Sequence, residues 1–210
     1  MAGLPAAEAF DAALVTGGLP IICARWRHGE DVRSFLAREL ANPVSPLVVS
    51  AQLSLAAEFP DQAQARMVLA AIGSGERMRS DLTMARIERS WTGWRGRVVE
   101  PLVCEALARI LPAQGIPAAP VVGGYWTRSN DVEIDIVGAD REPVAKQLLF
   151  LGSVKWLETG QFDDHDLLAL QRHRDRITPD PVPLVAVSRS GTSATRVDAA
   201  FTPADLIAAW

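Results

Sequence analysis

With 210 residues, 49% of them hydrophobic and 22% charged, the chain can fill one medium domain or two small ones, which excludes wholesale disorder. A net charge of -4 excludes a global attraction to nucleic acid, though not a local basic face. Cys23 and Cys104 match no zinc or redox spacing, no run approaches the ~20 apolar residues of a membrane span, and the N-terminus lacks signal-peptide texture, so a soluble protein in a reduced cytoplasmic setting is expected.

In chain order, the first part reads as helices joined by short loops. "LPAAEAFDAALVTGGLP" is an amphipathic helix stopped by Gly17, Gly18 and Pro20. "DVRSFLARELAN" follows, with Asp31 as N-cap and Val32, Phe35, Leu36 and Leu40 on one stripe. "SPLVVSAQLSLAAEF" has Ser45 as cap and Pro46 at the first helical position. "QAQARMVLAAIGSGE" and the shorter "SDLTMARIERS" complete the set. The texture then changes near Trp91 to Gly96, which sets an expected boundary between residues 1–92 and 93–210.

"RGRVVEPLVCEALARILP" reads as a long helix. Pro101 would kink its interior, unless the helix starts near Val99 and holds the proline in its first turn. "AAPVVGGYWTR", "DVEIDIVGA" and "AKQLLFLGSVKW" read as strands, the second with Glu133 and Asp135 alternating with apolar residues. "GADREP" turns between the last two. "DDHDLLALQRHRDRI" is a helix with acids first and bases later, as the macrodipole favours. "PVPLVAVSR" is a fourth strand and "TPADLIAAW" a closing helix capped by Thr202. The fold class is α/β, an αβββαβ domain behind a small all-α region.

Residue types that coordinate cations fall at telling places: Glu100 on the helix, Glu133 and Asp135 on the second strand, Ser153 and Lys155 on the third. A hairpin holds facing side chains about 5 Å apart, so it brings Asp135 close to Ser153 and Lys155. Lys155 is one of only two lysines, with Lys146.

The element order, with Glu100, "EIDIV" and "GSVKW", resembles the PD-(D/E)XK nuclease-like fold. More narrowly it is similar to the C-terminal domain of a family of archaeal-type ATPases also found in bacteria. There the hairpin commonly pairs "EIDIV" with "GECKW", which Gly152, Lys155 and Trp156 match. "GYWTR", with Tyr125, Trp126 and Arg128, resembles the aromatic strand before it. "LVTGGLP" resembles the turn of the helical lid that follows the ATPase core, and "ARMVLAAIGSGE" the first helix of a winged-helix segment, here curtailed.

Two departures weigh on that resemblance. No G-x-x-x-x-G-K-[ST] occurs, so the phosphate cradle of an ATPase is absent from this sequence, and a truncated member of the family is expected. Ser153 stands where the E-x-K pair carries its acid. The resemblance implies catalysis by Asp135, Lys155 and Glu100, with Ser153 as the degenerate acidic position and a Mg²⁺ ion held by Asp135 with Glu133. Mg²⁺ wants hard, usually anionic oxygen ligands, so losing one carboxylate lowers the expected affinity and leaves a site expected to be inactive unless Glu133 or Glu158 substitutes. The remaining task is binding, to DNA through Arg95, Arg97 and Arg128, or to a protein such as a separate P-loop ATPase subunit; weak Mg²⁺-dependent cleavage is the alternative.

Plainer readings stand beside these. Asp135 and Lys155 would form a structural ion pair, Glu133 would face solvent, Glu100 would be a surface helix residue and the arginines would be solvated. Trp91, Trp94, Trp126 and Trp156 are expected in core or boundary packing, and His28, His165 and His173 show no ligand spacing.

Overall fold

The computed structural model describes residues 3–58, 78–127 and 131–210. It divides into two compact units, Met1–Trp91 and Thr92–Trp210. The expected helix over 62–76, with the winged-helix resemblance it carries, lies outside the described residues, as does Arg128.

In the first unit, α1 (Ala6–Thr16) ends where Gly17 enters the left-handed region at φ 59° and its N–H bonds to the Ala13 carbonyl. Gly18 follows at φ 68°, so the pair reverses the chain at a cost few other residues would escape. The short α2 (Pro20–Cys23) leads to α3 (Val32–Leu40), where the Asp31 carboxylate accepts from the Ser34 N–H at 2.7 Å. In α4 (Pro46–Glu58) the Ser45 hydroxyl caps the Val48 N–H at 3.2 Å. α5 (Met78–Val98) belongs to this unit as far as Trp91 and to the second from Thr92; it is longer than expected because Gly93 and Gly96 are carried inside the helix rather than ending it. Ile22, Phe35 and Leu36 are buried together, with Val15, Trp26, Leu47, Ile87 and Trp91 packed around them. Trp26 stacks on Phe35 with ring centroids 4.2 Å apart. Beside this core Glu39 is fully buried and accepts from Arg25 Nε at 3.2 Å and from Arg38, which also donates to Glu30.

The second unit is mixed α/β. α6 (Glu100–Ile110) holds Pro101 in its first turn, where no intrahelical N–H is lost, and buries Val103, Cys104, Ala106 and Leu107. Then come β1 (Val121–Trp126), β2 (Glu133–Ala139), β3 (Leu148–Lys155), α7 (Asp164–Ile177), β4 (Leu184–Ser188) and β5 (Ala199–Phe201). The five strands lie in sequence order; β1–β2 and β2–β3 are antiparallel, β3–β4 and β4–β5 parallel. The strand β5 was not expected from the sequence. α7 is the crossover that a parallel β3–β4 pair requires, and its capping box joins Asp163 and Asp166. The closing helix α8 (Pro203–Leu206) is one turn long, continued by a 3₁₀ turn at Ile207–Ala209.

Leu167 and Leu170 of α7 pack with Val132, Ile134, Leu151, Leu184 and Ala186 to make the core beneath the sheet. Gly152 sits where β3 and β4 approach closely: a Cβ there would stand 2.8 Å from the Val185 carbonyl oxygen. Trp156 is buried as expected, but Trp126 is 70% exposed, contrary to the packing role expected of it.

Candidate functional site

The site grows from a fork in the sheet. β2 and β3 pair from Ala139↔Leu148 to Ile136↔Gly152, and beyond Gly152 the β3 register continues with β4. At the fork, the Asp135 carboxylate accepts from the Ser153 hydroxyl at 2.9 Å and from the Val154 N–H at 2.7 Å, both on Oδ2. The hairpin thus does bring Asp135 to Ser153, and a side chain replaces the next ladder bond.

Lys155 does not take Asp135 as its partner. Its Nζ lies 2.5 Å from Asp166 Oδ2 on the first turn of α7, where the same oxygen accepts the Asp163 N–H at 3.0 Å. The Asp135–Lys155 ion pair is therefore replaced by a Lys155–Asp166 pair. Asp166 escaped sequence reasoning because an acid in a first helical turn already has a reason to be there.

Glu100 begins α6, half-buried. Burial first, then the charges of Asp135 and Glu133, push its carboxyl up to about 7, while Arg97 acts in the opposite direction. The same surroundings raise the Cys104 thiol to about 11: burial first, then Glu100 and Asp135. Its Sγ lies 3.7 Å from the Asp135 carbonyl oxygen, so Cys104 is a packed residue rather than a nucleophile. The acids named from the sequence, Glu100, Glu133 and Asp135, thus lie close enough to feel one another.

A small cavity of about 200 Å³ is lined by Glu133, Ile134, Asp135, Ser153, Ala169, Leu170 and His173. That is below the ~300–1,000 Å³ typical of small-molecule pockets, so a drug-sized ligand does not fit. His173, absent from the sequence-derived candidates, lies with Nδ1 2.8 Å from the Glu133 carbonyl oxygen. A usable signal existed: Asp166, Leu170 and His173 recur on one helical face of α7.

The arginines separate. Arg97 is exposed, whereas Arg95 is completely buried, with its Nη1 3.2 Å from Glu158 Oε1. Arg95 therefore belongs to the interior rather than to a phosphate-binding surface, and Glu158, expected as a spare metal ligand, is tied to it.

The residues present fit a Mg²⁺ ion poorly. Ser153 is neutral, one oxygen of Asp135 already accepts two hydrogen bonds, and Glu100 holds its proton near neutral pH. Asp163, His165 and Asp166 also converge, with one ligand atom of each within 4.8 Å of the others. Asp163 and Asp166 serve the capping box, and Asp166 also binds Lys155.

The DUF234 family, described as archaeal and bacterial proteins of unknown function, matches residues 65–169, half of the chain. The chain belongs to this family. In this DUF234 protein the match takes in α6, the β1–β3 meander and the first turn of α7, so it includes every site residue from Glu100 to Asp166 and stops before His173. No curated protein and no solved structure matches the chain. Among the described residues, no helix is long and apolar enough to cross a membrane.

Proposed function

We propose that residues 92–210 form a PD-(D/E)XK nuclease-like domain that does not cut, in a relative of the archaeal-type ATPases, and that its task is to bind a protein. Several features support the fold reading. An α-β-β-β-α-β order, an antiparallel meander, a parallel β3–β4 crossover and a fork carrying Asp135 and Lys155 are what that fold uses. The loss of cleavage rests on one observation: one oxygen of the Asp135 carboxylate is taken by Ser153 and Val154, and the residue facing it across the fork is a neutral hydroxyl rather than an acid. Lys155, which would neutralise charge on a scissile phosphate, is held by Asp166. Protein is favoured over DNA because Glu133 and Asp135, two places apart on β2, repel phosphate, and because Arg95 is not at the surface.

Plasmid nicking with Mg²⁺ or Mn²⁺ tests this. The wild-type chain is expected to leave supercoiled DNA intact. Ser153→Glu is expected to gain Mg²⁺-dependent thermal stabilisation, because the ion relieves repulsion between residues 135 and 153. Nicking by the wild type that Asp135→Ala abolishes would overturn the proposal. It would support the second reading, a weak Mg²⁺-dependent endonuclease, which the proximity of Glu100, Glu133 and Asp135 favours. A separate P-loop ATPase is the expected partner in a pull-down from the native cell.

A further inference from the structure

We infer that the outer edge of β1 at residues 124–126 takes an extended, arginine- or lysine-bearing segment of a partner protein as an added strand. This names the partner chemistry for the binding role proposed above, but rests on a different part of the domain.

Strand β1 is an end strand of the sheet, so its outer backbone groups pair with no other strand among the described residues. Exposed edges are usually guarded by lysine, proline or a charged side chain, and "VVGGYW" contains none. What it offers instead is two exposed aromatics, Tyr125 at 41% and Trp126 at 70%. The bulge between Gly123 and Tyr125 turns the strand, so an added strand is short and side chains must supply part of the affinity.

Charge selects the occupant. Trp126 faces Glu133 across the β1–β2 register, and Glu133 is exposed. Cross-strand partners project to one side of a sheet, so a cation over the indole ring also meets a carboxylate. Glu133 shares its face of β2 with Asp135, two places on, so an added positive charge meets two acids there. A single-stranded nucleic acid could stack bases on Tyr125 and Trp126, but would bring its phosphates against the same acids.

The test uses the full chain and a labelled, end-blocked peptide alternating arginine and valine, followed by fluorescence anisotropy. Binding is expected, weakened about three- to tenfold by Trp126→Ala and by Glu133→Gln. Arg141→Ala, in the exposed β2–β3 turn, is expected to bind as wild type. Amide exchange should slow at residues 122–126 when the peptide is present. The proposal is overturned if the arginine peptide does not bind, or if a glutamate–valine peptide or single-stranded DNA binds as tightly. It is equally overturned if Trp126→Ala binds undiminished. A null result here, with the P-loop partner still recovered and plasmid still uncut, removes the β1 edge and leaves the binding role standing. Wild-type nicking with tight peptide binding does the reverse.

Discussion

In the helical unit, Glu39 is fully buried but lies between the guanidinium groups of Arg25 and Arg38, and Glu30 accepts from Arg38 as well. In the sheet unit, Glu100 is only half-buried, yet its neighbours are two more carboxylates. The consequences run in opposite directions. Hydrogen bonding from Arg38 holds the Glu30 carboxyl below its ordinary range, whereas Glu100 is pushed up to about 7. Compensated charge belongs to architecture; crowded like charge marks the place where the chain tolerates cost, as functional sites do. Glu100, Glu133 and Asp135 stand out on their charges alone.

Glu39→Ala leaves two guanidiniums facing a void, and about 3 kcal/mol of stability should be lost, seen as an earlier urea transition of the helical unit. A change under about 1 kcal/mol would show that the network is ornamental.

Glu100→Gln comes next. Because the folded state holds this proton more tightly than the unfolded chain does, wild-type stability falls as pH rises from about 4.5 to about 7, and the penalty is complete above that range. The variant should lose that slope and be more stable than wild type at pH 8 by no more than about 1–2 kcal/mol, given how much solvent reaches the group. Thermal melts across pH decide it, and an unchanged slope would remove Glu100 from the cluster. A smaller effect is expected from Asp135→Asn, which keeps an acceptor for Ser153 and Val154 but removes a charge. The Glu100 carboxyl should then titrate lower, by less than about one unit, in a ¹³C-detected pH series. The smallest sets the baseline: Glu105→Ala breaks a solvent-exposed pair with Arg109 at 2.5 Å, and no more than about 0.5 kcal/mol should follow.

Much of the sheet could be read from the sequence because alternation and turn residues are local signals. Glu133 and Asp135 alternate with buried Ile134 and Ile136, and "GADREP" marks the turn. The Asp135–Ser153 contact followed from pairing alone. What escaped was set at long range or by context. β5 is three residues long and acquires its identity only from β4 beside it. Arg95 looks like any surface arginine until Glu158, 63 residues away, meets it in the interior. Lys155 was correctly placed but wrongly partnered, since Asp166 becomes its neighbour only once α7 has crossed beneath the sheet. Trp126 was expected to be packed because tryptophan usually is; its place on an end strand could be known only from the strand order.

Asp135 closes a gap that the backbone ladder leaves open, clasping the Val154 N–H and the Ser153 hydroxyl after Ile136↔Gly152 has ended the pairing of β2 with β3. In this chain the aspartate is a clasp whether or not an ion ever visits it. An acid at this position therefore has a structural reason to be here that needs no catalysis.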